Sequence, residues 1–508
     1  MHKGYMEKRM RRIGIAASVL MVVLLGSSSV LASGFENTGL GTTARGMGGA
    51  FRAVADDWTA SYYNPAGYAY VVDNQLGGNI GLFSNRHEIT ADYVEYDALG
   101  NPYGWGMVND QSIYNFDRIL NNPAAGFVVR LPIWGETVFG LSGFQRFDYS
   151  IGWRFYSPEA TDFRAYNDSA DAWAPSDHYR NDLDVVAFQV TASRTFMEEK
   201  MSLGLGLQLL RADLVFADMT LRDNPMDGFI SARPYDRVPE FTNNQGSGYG
   251  FGLNFGMMYR LNEKLNFAIT AQWPFDITLD GTTDFRYIMP SNPLQRDLVN
   301  MSQEELLYVS GELVNFQSDF ETKLKLPPSM SLGLAYDVTE KLTVALDAEY
   351  TLWSRYEGFE FAYSNFVNLP TWVDTNGTRY TIAEDFLTTD LSNPTEWDNA
   401  GKIALGMRYH LNDVVTLLGG GSADQSPSRN TAQITPHFVD TGDKYSFNGG
   451  VVFHINQWDL GIVQSYISYP DRSISDFTDL NDDGVFDNFP GDYKADTYET
   501  VLSITHRF

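Results

Sequence analysis

The sequence has 508 residues, with 36 Lys plus Arg against 64 Asp plus Glu, a formal charge of −28 and no Cys. Such a balance repels nucleic acid, and a chain without Cys has neither a disulfide framework nor a catalytic thiol. Aromatic residues make up 14% of the chain and Gly numbers 45, a mixture that favours tightly packed strands over a helical protein.

Residues 1–12, "MHKGYMEKRMRR", are basic, and the apolar stretch after them ends in small residues. The pattern reads as a secretory signal peptide over 1–32, with Val30 and Ala32 at the −3 and −1 positions and cleavage just after Ala32. Beyond it no run of about 18 apolar residues occurs, which excludes helical membrane spans. The next segment, 33–72, contains "GMGGAFRAVADDWTASYYNPAG" and matches neither the helical nor the strand period.

From residue 73 to 508 the period is two. In "MSLGLGLQL", Met201, Leu203, Leu205, Leu207 and Leu209 share one face, and Ser202, Gly204, Gly206 and Gln208 the other. "YGFGLNFGMMYR" from Tyr249 and "KIALGMRYH" from Lys402 repeat the arrangement. A soluble sandwich would carry long charged side chains opposite its core face. Here the second face is small, which suits a barrel whose greasy face meets lipid.

Short connections near 134–136, 197–200, 261–264, 337–341, 411–413 and 456–457 alternate with long polar segments at 88–122, 157–181, 223–246, 284–320, 363–397, 425–442 and 476–493. Strict alternation of short turns and long loops predicts an all-β, transmembrane, antiparallel β-barrel of about 14 strands, with both termini in the periplasm. The expected strand starts are 74, 123, 136, 183, 201, 247, 265, 321, 342, 398, 414, 443, 458 and 494. The last strand, "TYETVLSITHRF", ends on an aromatic residue, the feature that outer-membrane barrels present to their assembly machinery.

A barrel of about 14 strands is too wide for its own side chains to fill. Residues 33–72 are the candidate plug, and Gly46, Gly48, Gly49 and Ala50 are small enough to pack against a Gly- and Ser-rich wall. Pro65 biases Asn64 to an extended conformation, so Asn64-Pro65-Ala66 should form a rigid bend. Gly46–Gly49 is not a phosphate loop, because no Gly-Lys-Ser/Thr follows and no strand precedes it.

The segment "TGLGTTARGMGGAFRAVADDWTASYYNPAG" resembles the N-terminal hatch of the FadL-type family, outer-membrane transporters for long-chain fatty acids and aromatic hydrocarbons. The matching elements are the Gly-rich opening, Ala55-Asp56-Asp57 and Asn64-Pro65-Ala66. Downstream, "LKLPPSMSLGLAYDVTEKLTVALDAEYTLWSRYEGFEF" is similar to the family's eighth and ninth strands, with Leu326-Pro327 and Trp353-Ser354 in matching places. "WDNAGKIALGMRYHLND" and the segment with Asp424, Ser426-Pro427 and Arg429 are similar to its tenth to twelfth strands. The resemblance implies passive admission of a hydrophobic molecule: capture on the third and fourth loops, a site inside the barrel, and release by hatch movement. It also implies an inward kink in the third strand, within about 136–155, that opens the wall sideways.

Several residues are then candidates for ligand contact. On the fifth strand the inward phase continues as Leu210, Ala212, Leu214 and Phe216, an apolar upper wall where a greasy ligand could rest, and Phe144 on the third strand shares that phase. On the fourth loop, Ser302 with Glu305 forms a capping box, and Leu306, Val309, Leu313 and Phe316 recur at helical spacing. That amphipathic helix would either line a capture groove or seat itself on the rim. A fatty-acid carboxylate would want a cation, for which Arg146 and Lys402 have inward phase. Lys402 reads more readily as the partner of a hatch carboxylate, Asp56 or Asp57. The family's charged contact before the tenth strand is unmatched, because "DLSNPTEWDNAG" lacks Lys and Arg, which leaves neutral hydrocarbons open.

"DLNDDGVFD" sets Asp479, Asn481, Asp483 and Asp487 at positions 1, 3, 5 and 9 of a calcium loop, with Gly484 at position 6. Pro490 replaces the bidentate Glu, so the run reads as a short extracellular Ca2+ turn or as a plain acidic turn in the last loop. No other cofactor is expected. Without HExxH, catalytic Cys or GxSxG, no enzyme is indicated. The expected protein is a monomeric barrel of the bacterial outer membrane, with lipid, a hydrophobic small molecule and the barrel assembly machinery as partners. A binding platform like the type IX secretion shuttle and a general porin are the alternatives.

Overall fold

The computed structural model describes residues 34–36, 39–91, 112–114, 119–131, 137–153, 179–226, 237–289, 301–428, 435, 437–438, 443–476, 478, 480, 488 and 490–508. The proposed signal peptide, 1–32, and the four candidate calcium ligands Asp479, Asn481, Asp483 and Asp487 lie outside these residues.

The chain forms a closed antiparallel barrel of 14 strands. Ten of them are continuous or nearly so: β1 Gln75–Ala91, β2 Ile119–Leu131, β3 Thr137–Trp153, β4 Tyr179–Phe196, β5 Met201–Asp223, β6 Arg237–Asn262, β11 Val415–Asp424, β12 Lys444–Ile455, β13 Trp458–Ser468 and β14 Gly491–Arg507. The other four are each built of two segments: β7 Leu265–Pro274 and Ile277–Ile288, β8 Leu313–Leu324 and Ser329–Asp337, β9 Leu342–Thr351 and Gly358–Val367, β10 Leu391–Pro394 and Ala400–His410. The seam closes where β1 pairs with β14, from Gln75 opposite Arg507 to Ala91 opposite Gly491.

Two-residue periodicity puts one set of side chains into lipid and the other into the lumen. On β5, Leu205, Leu207 and Leu209 are exposed, while Gly206, Gln208, Leu210, Ala212, Leu214 and Phe216 point inward and are buried. Phe188, Phe251, Leu332, Leu405, Phe447 and Leu502 continue the exposed apolar belt around the wall. A membrane-spanning strand needs only about 9–11 residues, whereas β5 has 23 and β6 has 26. The surplus stands above the bilayer as a collar whose inner face sets the rings of Phe285, Phe316, Phe359 and Phe361 beside buried polar residues such as Asp218, Thr242 and Glu240. This is why β6 begins at 237 and β8 at 313, upstream of the expected 247 and 321: outside the membrane the sequence resembles a loop.

All four two-segment strands break at a common level. Pro274, Pro327, Pro328 and Pro394 sit at three of the breaks, where a ladder donor is missing. The fourth is the short 3-10 turn Trp353–Arg355, followed by Gly358 at φ 87. Neighbouring breaks remain tied, with Leu352 N–H donating to Pro328 O at 2.9 Å and Thr395 N–H to Glu357 O at 3.2 Å. The breaks free Trp353, Tyr356 and Trp397 from the wall's alternation, and all three rings are buried.

Residues 39–71 pack against the inward face of the wall. The short helix Thr42–Gly46 ends in a turn through Gly48 and Gly49 at φ 68 and 88, and a Cβ on Gly48 would stand 2.5 Å from the backbone of Gly421. Asn64 is extended and its Oδ1 accepts from Ala66 N–H at 3.0 Å, with Pro65 opening the 3-10 helix Pro65–Tyr70. Small residues on both sides was the sequence expectation, but much of the fit runs from large segment rings into wall glycines. Trp58 fills the space over Gly77 and Gly126, and Tyr68 the space over Gly140, where a Cβ would come within 2.2 Å of its ring.

Candidate functional site

The first described residues of the chain enter an aromatic cage. The ring of Phe35 meets those of Trp353 and Tyr356 at 4.9 Å each and Phe147 at 5.5 Å, all edge to face, with Trp397 and Phe438 at 5.9 and 6.2 Å. Every one of these rings is buried. Gly34 has to be glycine to pass them, because a Cβ there would lie 2.8 Å from Trp397.

Three polar grips hold the same residues. Lys444 Nζ donates to Gly34 O at 3.1 Å, Asp148 N–H to Phe35 O at 3.1 Å, and Arg146 to the carboxylate of Glu36. The last two sit where β3 bulges: its register against β4 shifts between Gln145 and Phe147, and Glu36 makes an isolated bridge with Phe147. The bulge lets Phe144, Arg146 and Phe147 all face inward. Arg146 also donates to Tyr62 Oη at 3.2 Å and lies over the Phe147 ring at 4.8 Å. Burial pushes the Glu36 carboxyl up, against the opposing pull of Arg146.

Other ion pairs fasten the segment lower down. Arg52 bonds Glu349 at 2.5 Å, and Asp347 accepts the N–H groups of Phe51 and Arg52 at 2.9 Å each. Arg45 pairs with Glu499. Asp56 receives Arg408 Nη1 on both oxygens, at 3.0 and 2.8 Å. Lys402 had been the expected partner of Asp56 or Asp57, but it bonds Asp424 at 3.4 Å. Lys402 lies six residues along β10 from Arg408, about 20 Å at strand rise, too far outward to reach Asp56. Asp57 accepts instead from Thr59 N–H and Oγ, at 2.8 and 2.5 Å.

The candidate ligand residues fall into two groups. Phe144 lies edge to face with Tyr62 at 5.5 Å. Leu210, Leu214 and Phe216 are buried on the inner wall, with Phe216 stacked on His437 at 4.1 Å and edge to face with Phe359 at 5.5 Å. Burial pushes His437 down to about 4, so its ring is neutral.

The second group lies in the collar. The amphipathic helix expected through Leu306, Val309, Leu313 and Phe316 is corrected: it covers Gln303–Leu307, behind the expected Ser302–Glu305 capping box. Gly311 at φ 71 ends the helical course, and Leu313 and Phe316 belong to β8, paired with Ile277–Ile288. Val309 and Phe316 are nonetheless buried, and Phe316 stacks on Phe285 at 4.7 Å.

The groups are joined by a trail of rings. From Phe285 it runs to Tyr363 at 4.8 Å, to Phe361 at 6.4 Å, to Phe359 at 5.7 Å, to Tyr356 at 6.0 Å and so to Phe35. The sequence reading missed Phe35, Phe147, Tyr356, Trp397 and Phe438, and marked Trp353 only as a point of family resemblance. These residues sit at breaks, bulges and loops, where no period marks them.

A family model described as outer membrane protein transport protein (OMPP1/FadL/TodX) matches residues 23–508. The chain belongs to the FadL/TodX family. A putative outer membrane protein of Neisseria meningitidis serogroup B is 21% identical over 446 residues, 86% of each chain. Outer membrane protein P1 of Haemophilus influenzae is 21% identical over 433 residues, 80% of this chain and 81% of that one. Among solved structures, a FadL homologue from Pseudomonas aeruginosa superposes with a TM-score of 0.70 at 16% identity, over 94% of this chain and all of that one. The toluene transporter TodX of P. putida gives 0.64 at 14% identity, over 93% and 99%. The fold is thus shared with FadL/TodX barrels, and membership places the protein among outer-membrane transport proteins for hydrophobic compounds.

Proposed function

We propose that the protein admits small hydrophobic molecules through the outer membrane without an energy source, with residues 33–72 as the hatch. The observation that carries this reading is the ring trail from the collar to Phe35. An apolar molecule caught among the collar residues can pass from ring to ring, always in contact with π faces or aliphatic carbon, and never has to cross the charged lower lumen.

At the end of the trail, Phe35 occupies the place a cargo ring would take. Cargo entering the cage displaces Phe35 and loosens the Gly34–Glu36 strap. Because that strap is bridged to β3 at its bulge, its release uncovers the irregular stretch of wall through which cargo leaves sideways into the bilayer. Before the strap moves, Arg146 and Lys402 are engaged by Glu36 and Asp424, so first entry into the cage favours neutral cargo over a fatty-acid carboxylate. The hatch packed into the wall glycines also argues against a general porin.

Uptake of a radiolabelled alkylbenzene by cells carrying or lacking the protein tests the reading. Faster uptake with the protein, together with near-background ion conductance in a planar bilayer, is the expected result. Unchanged uptake with secreted proteins co-purifying would support the platform alternative in its place.

A further inference from the structure

On the outer face of the wall, far from the cage, a groove of about 660 Å³ interrupts the apolar belt. Its floor is β11 from Gly419 to Ala423, and its sides are Leu405 and Met407 of β10 and Tyr445 and Phe447 of β12, all four exposed. Strand pairing sets this relief. Gly419 lies opposite Met407, Gly421 lies between Leu405 and Phe447, and Ala423 lies opposite Tyr445. On its outward phase β11 thus offers two glycines and an alanine where both neighbours offer long side chains.

The lumen accounts for only part of this pattern. Gly406 and Gly420 have inward phase, and a Cβ on either would stand 2.3 Å from the backbone of Met47. A Cβ on Gly421 would press on Ser446 O at 2.7 Å. Gly419 answers to neither demand: a Cβ there would meet only the flexible end of Met407, and one on Gly449, its partner on β12, would meet nothing within 4 Å. Met47 and Gly48 nevertheless brace the floor from the lumen side, so the groove is preformed and cannot collapse inward.

Position limits what can fill it. Leu405 and Phe447 belong to the belt that meets lipid, so hydrocarbon is what lies against the opening. The floor runs for about 13 Å at strand rise, within the half-thickness of a core of about 30 Å, and Tyr445 at its collar end is of the kind that marks a membrane interface. A linear chain lying along β11 touches carbon beneath it and on both sides, whereas a chain against the even belt touches it on one side only.

We propose that the groove is a binding site for one acyl chain of a lipid in the collar-side leaflet, laid along β11. The chain fills the outer side of a wall that is one backbone thick, opposite Met47 and Gly48 on the inner side.

The test uses the full-length barrel in phosphatidylcholine vesicles whose lipid carries a photoactivatable diazirine halfway along one acyl chain, with the label located by peptide mass spectrometry after irradiation. The outward residues of 403–407, 419–423 and 445–447 should carry at least about three times the label of Leu332 and Leu334, which face lipid at the same height, since Leu405 pairs with Leu346 and Leu346 with Leu334. Ala423→Leu and Gly419→Leu, each filling the groove from its floor with an apolar side chain, should bring that excess down to the level of Leu332 and Leu334. Even labelling around the wild-type belt, or an excess that both variants keep, overturns the proposal. Groove residues labelled less than Leu332 and Leu334 would show a second copy covering them, and that overturns it as well.

Discussion

The ring of Phe35 stands edge to face with that of Trp353 at 4.9 Å, so the start of the described chain and a break in the ninth strand form one packing unit. The next residue, Glu36, is tied to the bulge of the third strand through Arg146. The strap therefore spans the cage between two irregular parts of the wall, and the predictions below follow from that placement.

Breaking the strap's ion pair from one side leaves a buried charge alone. Glu36→Gln should weaken docking of residues 34–36 by about 3–5 kcal/mol, seen as faster amide hydrogen exchange there with the barrel's melting temperature little changed. Adding Arg146→Met should recover most of the loss, because the pair is then replaced by neutral groups. Equal exchange in the single and double variants would contradict the arrangement.

Gly140 is where Tyr68, in the proposed hatch, meets β3. In Gly140→Val the new Cβ would lie 2.2 Å from that ring, and a backbone-anchored clash in a closed lumen cannot relax cheaply. Ion conductance in planar bilayers should rise well above wild type as the hatch loses its seat, whereas Gly449→Val, which meets nothing within 4 Å, should stay at background.

Asp57 should give docking of the proposed hatch a pH dependence. Burial and then the neighbouring Asp56 raise it from 3.8 to about 6, against the Thr59 hydrogen bonds and Arg408, which lower it. Because its value is raised in the packed state, its contribution to docking is fully present below about pH 4 and is lost as pH rises through about 6. Protease sensitivity of the hatch should accordingly increase between pH 4.5 and 7, and Asp57→Asn should flatten the profile.

A charge placed in the ring trail should stop cargo without disturbing the strap. Phe361 lies between Tyr363 and Phe359, and Phe361→Arg should cut alkylbenzene uptake at least about tenfold by putting a guanidinium where the path must stay dry. Uptake at the wild-type rate would place the route elsewhere.

How much of this was legible beforehand follows from what each residue's neighbours in sequence reveal. Strands beginning at 201, 265, 342 and 458 begin there in the structure, because lipid demands an unbroken apolar face and the short turns punctuate it. The collar was read as loop, since water on its outer face removes that demand. Arg408 went unnoticed as the partner of Asp56 because phase gives the face of a strand and not the height of a partner on another segment. The cage was the least visible part: Phe35 is a lone ring near the start of the proposed hatch, and Trp353, Tyr356 and Trp397 lie on breaks in the strands, where periodicity does not mark them.

The central claim is that the strap must leave β3 for cargo to pass. The sequence contains no Cys, so Glu36→Cys with Phe147→Cys, at bridge-paired positions whose separation suits a disulfide, makes a single reversible lock. Alkylbenzene uptake by cells carrying this variant should fall to the level of cells without the protein when oxidised and recover on adding reductant. Equal uptake in the oxidised and reduced forms, with the disulfide verified, would contradict the account.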